Sequence, residues 1–155
     1  MILFVYLIDI KIYDTRIFVL DYILQNVFIN FIFVSFCILI LINGSNFFDG
    51  LNALNIGYYF IISILIYYLN YNNLIYLNDF PLNYFILSIA IMLLLNILNK
   101  IFLGDSGSYI LGLFFSIFSI FIYKWNPFIS PFFIILLLWY PCFEILFSIL
   151  RKNIL

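Results

Sequence analysis

The fold of this chain is decided by residues 27–42, which read VFINFIFVSFCILILI and contain no charged side chain. Further apolar runs cover residues 1–8, 54–69, 82–98, 109–123 and 128–150. A helix needs about 20 residues to cross the hydrocarbon of a bilayer, so the shorter runs must include flanking residues or lie in a thinner bilayer. The pattern predicts an all-α, polytopic transmembrane bundle with about five full spans and an N-terminal partial span.

The amino-acid composition also indicates a protein that is surrounded by lipid. Hydrophobic residues make up 68% of the chain and charged residues 8%, whereas soluble domains carry about 25% charged residues. Lys and Arg together number six, so no basic surface for nucleic acid is expected. Cys37 and Cys142 stand singly in apolar runs and are interpreted as packing residues. We expect a single transmembrane domain, residues 1–155, with a last span bent at Pro131 and Pro141.

Counting spans assigns the polar segments to two membrane faces. One face holds residues 43–52, 99–108 and 151–152, and the other holds residues 9–26, 70–81 and 124–127. Asp49, Asp105 and Arg151 therefore share a face whichever way the chain is inserted. Each face carries three basic residues, so the positive-inside rule does not orient the chain.

The first polar segment, residues 43–52, reads NGSNFFDGLN and directly follows a span. Asn43, Asn46 and Asp49 recur every three residues, which places them on one side of any helical continuation. The same composition also fits an ordinary helix C-terminus, because Asn, Gly and Asp are common in turns.

The second polar segment, residues 100–108, reads KIFLGDSGS. We expect a loop in which Gly104 and Gly107 let the backbone approach a ligand, while the Asp105 carboxylate holds a hard cation such as Mg²⁺. Lys100 could meet phosphate oxygens, or serve only as an interfacial anchor. Asn96, inside the preceding run, should point into the bundle or a polar cavity, because a buried amide needs a partner.

Two other features of the sequence have ordinary explanations. The letters GDSG also occur in serine proteases, but the chain contains no histidine to accept the serine proton, and Lys100 is a weak alternative base. Glu144 is the one acidic residue in the last span, and an ordinary interfacial or paired carboxylate explains it as well as a functional role does.

Together these segments resemble the MraY/WecA family of polyprenyl-phosphate sugar-1-phosphate transferases. The family's first motif, two Asn residues and an Asp-Gly at intervals of three, running on as L-[DN]-G-L, matches residues 43–54, with Ala53 in place of the usual glycine. Its second, an Asn followed by K-[IV]-F-[LM]-G-D-[SAT]-G-S and L-G, matches Asn96, residues 100–108 and residues 111–112. Its third, a Pro-x-x-Glu span that ends in basic residues, matches Pro141, Glu144, Arg151 and Lys152.

The resemblance implies transfer of a sugar 1-phosphate of the N-acetylhexosamine type from a UDP-sugar to a polyprenyl phosphate. This reaction belongs to the synthesis of the bacterial cell wall or a surface polysaccharide such as lipopolysaccharide. The resemblance further implies a protein of the bacterial inner membrane with its active face in the cytoplasm, and Mg²⁺ as cofactor, with Mn²⁺ as an alternative. The sequence leaves the oligomeric state open, with a homodimer among the alternatives.

Residue roles follow from the same resemblance. It implies that Asp105 and Asp49 bind the metal, and that Asp49 and the Asn46 that orients it are catalytic. It also implies a substrate-binding set that consists of Asn43, Gly50, Leu51, Asn52, Asn96, Lys100, Phe102 and Arg151. Within this set, Phe102 is expected to stack on the nucleobase beside Gly50, Leu51 and Asn52.

The chain also departs from the family pattern. It contains no adjacent Asp pair, which the family carries in upstream spans, and it lacks the family's histidines after the basic residues. We therefore expect a truncated, middle-to-C-terminal portion with impaired activity. The alternatives are a small transporter that uses Asn43, Asn46, Asn96 and Glu144 along a pathway, or a non-catalytic partner of another membrane protein.

Overall fold

The computed structural model describes residues 1–47, 53–77 and 80–154, with the backbone alone for residues 152–154. Within these residues the chain forms eight helices and no strand, which confirms the all-α prediction. The helices are α1 (Ile2–Ile8), α2 (Phe18–Leu24), α3 (Val27–Phe47), α4 (Leu54–Tyr71), α5 (Leu82–Ile97), α6 (Gly104–Trp125), α7 (Pro131–Leu137) and α8 (Trp139–Ile154). The sequence had placed α2 in a polar connection.

Helix lengths support fewer membrane spans than the sequence suggested. Among the described residues, α3, α4 and α6 are long and apolar enough to cross a bilayer, and α7 with α8 adds a fourth span if the bent pair counts as one. The apolar α5 has 16 residues and is therefore about 24 Å long, shorter than a hydrocarbon core of about 30 Å. The count is three to four spans, and the prediction of five was more definite than these lengths allow.

The predicted bend in the last span is present, but the prolines act differently than expected. α7 and α8 meet at an angle of 64° with Leu138 between them. Pro131 is the first residue of α7, and Pro141 lies in the first turn of α8. A proline at these positions removes an N–H that has no partner within the helix. The two prolines thus begin the two halves and do not interrupt a continuous helix.

Close approach of α3 to two other helices holds the bundle together. A Cβ added to Gly112 of α6 would lie 2.9 Å from the carbonyl oxygen of Leu41, and one added to Gly44 would lie 2.2 Å from that of Pro141. Between lipid-solvated helices the hydrophobic effect contributes little, so small residues that bring backbones together provide the packing energy. The outer surface remains apolar, as with Phe18 and Phe128, which fits contact with lipid.

Hydrogen bonds between segments define two ends of the bundle. At the first, which we call the polar end, Asn46 of α3 contacts Tyr109 of α6, and Ala53 before α4 contacts Asn96 of α5. At the opposite end, Asn126 after α6 pairs with Tyr76 after α4. These contacts confirm that the described parts of residues 43–52 and 99–108 share one end, as span counting predicted.

Candidate active site

The end of α3 carries the first two predicted site residues. The helix continues to Phe47, five residues beyond the apolar run, so Asn43 and Asn46 lie in its final turns on one side, as their spacing predicted. Asn43 is exposed, and its Nδ2 donates to the Leu39 carbonyl oxygen at 2.8 Å. Asn46 Nδ2 donates to the Tyr109 hydroxyl at 3.2 Å. Its buried Oδ1 has no hydrogen-bond partner among the described residues.

The remainder of the first motif lies outside the described residues. Asp49, Gly50, Leu51 and Asn52 belong to this part, so their predicted roles stay predictions. The chain on either side is described, and both Asn46 and Ala53 make contacts at the polar end.

Directly before Asn46, Ser45 belongs to a buried polar network that the sequence analysis did not predict. Ser45 and Tyr59 share a hydrogen bond through their hydroxyl groups, and Asn55 Nδ2 donates to the Ser45 carbonyl oxygen at 2.9 Å. All three residues are buried. Bonds of this kind between α3 and α4 fix the direction of the last turn of α3, and with it Asn46. In the sequence, the sign of this network was the polar Asn55 inside an apolar run, although its partner Ser45 lies ten residues earlier in the chain.

The second motif is divided between the predicted loop, which covers residues 100–103, and the first turns of α6, which begin at Gly104. Gly104 is the first residue of α6 and has a φ of +63°, a conformation that favours glycine, but no atom lies within 4 Å of where its Cβ would be. A Cβ at Gly107 would meet the side chain of Leu103 at 2.6 Å. Gly104 therefore allows the backbone turn into α6 and Gly107 allows close packing of Leu103, while their close approach to a ligand stays a prediction. Asp105 is exposed in the first turn of α6, where the helix dipole stabilises its negative charge.

Three further predicted residues have exposed side chains. Lys100 and Phe102 lie between α5 and α6, and Phe102 is 68% exposed, so its ring is free to stack on a ligand. Arg151 lies on α8, ten residues after Pro141 and so about 15 Å further along the helix axis. Pro141 packs on Gly44 at the polar end, but no hydrogen bond or ion pair joins Arg151 to another site residue within the part of the chain that the structure describes.

Asn96 is placed differently from a typical ligand-binding residue. It is buried in the bundle, which confirms the first of the two positions expected for it. Its Oδ1 accepts a hydrogen bond from the Ala53 N–H at 2.6 Å, and its Nδ2 donates to the Ile101 carbonyl oxygen at 2.9 Å. The amide thus joins the backbone of the first motif to that of the second.

The last span contributes a carboxylate and borders a cavity. Glu144 is half-buried and forms a hydrogen bond with Tyr140, one turn earlier on α8. An apolar cavity of about 250 Å³ lies among α3, α6, α7 and α8. Its walls include Cys37, Leu41, Ser119, Leu138 and Cys142. Both cysteines are free thiols in apolar surroundings, which agrees with their interpretation as packing residues.

The polar end therefore assembles parts of two motifs. Tyr109 lies one helical turn after Asp105, so its bond to Asn46 brings the face of α6 that carries Asp105 next to the end of α3. Among the described residues, no group of three or more His, Cys, Asp or Glu side chains is placed to hold a metal ion. Asp105 would need ligands from outside this set, such as the predicted Asp49 or a phosphate.

Comparison with known proteins identifies the family. The family model described as "Glycosyl transferase family 4" matches residues 1–123, which include both motifs of the polar end. The third motif, around Pro141 and Glu144, lies beyond the matched residues. No curated protein and no solved structure matches the chain. Because the match covers more than half of its length, the chain belongs to glycosyl transferase family 4, the MraY/WecA family of integral-membrane polyprenyl-phosphate sugar-phosphate transferases.

Proposed function

We propose that the reaction of this chain is the transfer of an N-acetylhexosamine 1-phosphate from a UDP-sugar to a polyprenyl phosphate, with release of UMP, and that its departures from the family pattern impair this reaction. The reaction would serve bacterial cell-wall or surface-polysaccharide synthesis. The polar end would face the cytoplasm, where nucleotide sugars are available. Family membership and the contact between Asn46 and Tyr109, which unites the two motifs at one end, support this proposal.

The residues at the polar end supply complementary contacts for such a donor. The exposed Phe102 ring offers a flat apolar surface for the uracil base. Gly50, Leu51 and Asn52, which lie outside the described residues, stay the other predicted contacts of the base. The Lys100 ammonium and the Arg151 guanidinium, both exposed, would be the cations that attract phosphate oxygens. Asn46 keeps a second Nδ2 hydrogen that can donate to the Asp49 carboxylate or to a phosphate oxygen, while its Oδ1, which has no partner among the described residues, can accept a hydrogen bond or bind a cation.

The donor atoms at this end fit a hard divalent cation. Asp105 provides carboxylate oxygens, and Asn46 Oδ1 is a buried amide oxygen without a partner among the described residues. We propose that Asp105 and Asp49 hold Mg²⁺ or Mn²⁺. When bound, the cation neutralises the diphosphate and stabilises the charge that develops as the phosphate–phosphate bond breaks.

The apolar cavity offers a place for the lipid acceptor. It borders α3, the helix that ends in Asn43 and Asn46, and its walls are almost entirely apolar. A polyprenyl tail beside α3 would leave its phosphate free to reach the polar end. We expect any homodimer to leave this cavity open to the bilayer.

The structure weakens the transporter alternative. Of the four residues assigned to a pathway, Asn96 gives its amide to two backbone groups and Asn43 bonds back to its own helix. The Asn96 amide is therefore not available to line a polar route across the membrane.

The test is UMP release from UDP-N-acetylglucosamine in membranes that contain undecaprenyl phosphate, with and without Mg²⁺. Asp105→Asn removes the charge but keeps the shape, and should lower the rate by at least about 100-fold, as expected for loss of a metal-bound carboxylate. Asp14→Asn is the matched control, because Asp14 is an exposed carboxylate at the opposite end.

An Asp105→Asn variant that works at the wild-type rate would contradict the metal assignment. A wild-type chain that releases no UMP under any of these conditions would contradict the proposed activity for these 155 residues.

A further inference from the structure

The conformation of Ala53 requires an explanation. This residue precedes α4 and has a φ of +66°, in the left-handed region. A residue with a Cβ adopts this conformation only against a steric penalty that glycine avoids. Some contact with the surrounding structure must therefore hold Ala53 in place.

Asn96 makes that contact. The Ala53 N–H donates to Asn96 Oδ1 at 2.6 Å, and the other side of the same amide binds the Ile101 carbonyl oxygen. Asn96 is only 4% exposed, so these two bonds satisfy the acceptor and the donor of a side chain that is buried in the bundle. Breaking them would free both the strained residue before α4 and the chain that leads to Asp105.

A similar arrangement exists at the opposite end. Asn126 Oδ1 accepts from the Tyr76 N–H at 2.6 Å, and its Nδ2 donates to the Tyr76 carbonyl oxygen at 2.9 Å. Asn126 is also buried. The chemistry and burial of the two asparagines are thus alike, while their positions differ: only Asn96 joins the two motifs of the polar end.

We propose that Asn96 is a positioning residue that holds Ala53 in its left-handed conformation and fixes the segment before Asp105, and that it does not bind the substrate. This differs from the substrate-binding role that the family resemblance implies. The effect of Asn96 on sugar-phosphate transfer rests on the proposed function, but its effect on the backbone conformation does not.

The experiment compares Asn96→Ala with Asn126→Ala in the full chain, purified in detergent. Both variants should lower the melting temperature by a similar amount, about 2–6 °C. Hydrogen–deuterium exchange should separate them. Asn96→Ala should speed exchange in residues 53–57 and 98–103 by about 5- to 30-fold, and Asn126→Ala should leave both peptides near the wild-type rate.

Ala53→Gly provides the decisive second variant. Glycine adopts the left-handed conformation without the penalty, so Asn96→Ala should lower the melting temperature less in the Ala53→Gly background than in the wild type. Where transfer is measurable, Ala53→Gly should restore part of the kcat lost in Asn96→Ala. The KM for the UDP-sugar should change by less than about threefold, because uniform substrate binding is unaffected.

Equal exchange rates for Asn96→Ala and Asn126→Ala in both peptides would overturn the proposal. So would a loss of melting temperature that is the same with and without Ala53→Gly. Absence of transfer in the wild-type chain would count against the proposed function only, since the exchange and melting measurements need no activity.

Discussion

Replacing Gly44 by alanine tests whether α3 and α8 depend on backbone contact. The added Cβ would lie 2.2 Å from the carbonyl oxygen and 2.6 Å from the carbonyl carbon of Pro141. These are backbone atoms, so no side-chain rotation relieves the overlap. The two helices must separate, and the end of α3 that carries Asn43 and Asn46 must move with them.

Two opposing effects determine how much Gly44→Ala changes the free energy of unfolding. Alanine stabilises a helix by about 1 kcal/mol relative to glycine, because of its higher helix propensity. Overpacking a tight contact costs about 1–3 kcal/mol and more where backbone must shift, as it must here. We expect a net loss of about 1–2 kcal/mol, which corresponds to about 2–8 °C in melting temperature for a chain of this size.

Gly57→Ala is the matched control, because Gly57 also lies inside a helix but has an open neighbourhood. Its added Cβ would lie 3.8 Å from Leu93 Cδ1, an ordinary van der Waals distance. Only the helix-propensity gain remains, so Gly57→Ala should leave the melting temperature unchanged or raise it by about 2–4 °C. Thermal unfolding in one detergent, followed by size-exclusion chromatography, measures both variants. A Gly44→Ala variant as stable as Gly57→Ala would refute the reasoning.

Two further predictions concern the polar end. Tyr109→Phe removes the hydroxyl that Asn46 contacts, so it should lower the free energy of unfolding by about 0.5–1.5 kcal/mol, whereas Tyr84→Phe, on an exposed tyrosine of α5, should not change it. In a background without Cys37 and Cys142, single cysteines at Phe102 and Asn43 should react with an impermeant maleimide from the same membrane side, and one at Asn73 from the other. Labelling of all three from one side would contradict the assignment of the two ends to two faces.

The apolar runs predicted the long helices well, because burial in lipid demands a continuous hydrogen-bonded helix. Their ends were harder to predict. α3 continues through Asn43 and Asn46, and α6 begins at Gly104 within the predicted loop. Polar residues mark where the chain leaves the hydrocarbon, but a helix does not stop there: its backbone bonds remain favourable in the headgroup region.

The candidate site was predicted through motif spacing more than through physical chemistry. Spacing placed Asn43 and Asn46 on one side of a helix, and span counting placed them with Asp105 at one end, both as observed. The contacts themselves could not be predicted. The partner of Asn96 lies 43 residues earlier in the chain, and only the packing of α4 against α5 brings Ala53 to it.

Buried asparagines show why a polar residue in an apolar run is ambiguous from sequence. Asn30 accepts from the Ile12 N–H and donates to the carbonyl oxygens of Ile12 and Leu24, just as Asn96 and Asn126 bind the backbone of other segments. An asparagine amide carries a donor and an acceptor side by side, so one side chain can satisfy both groups of an irregular segment where water is absent. Each of the three lies where such a segment packs against a helix end. Burial with both sides of the amide paired to backbone therefore indicates a structural role for Asn30, Asn96 and Asn126, whereas Asn46 and Asn55 each keep an Oδ1 without a partner among the described residues.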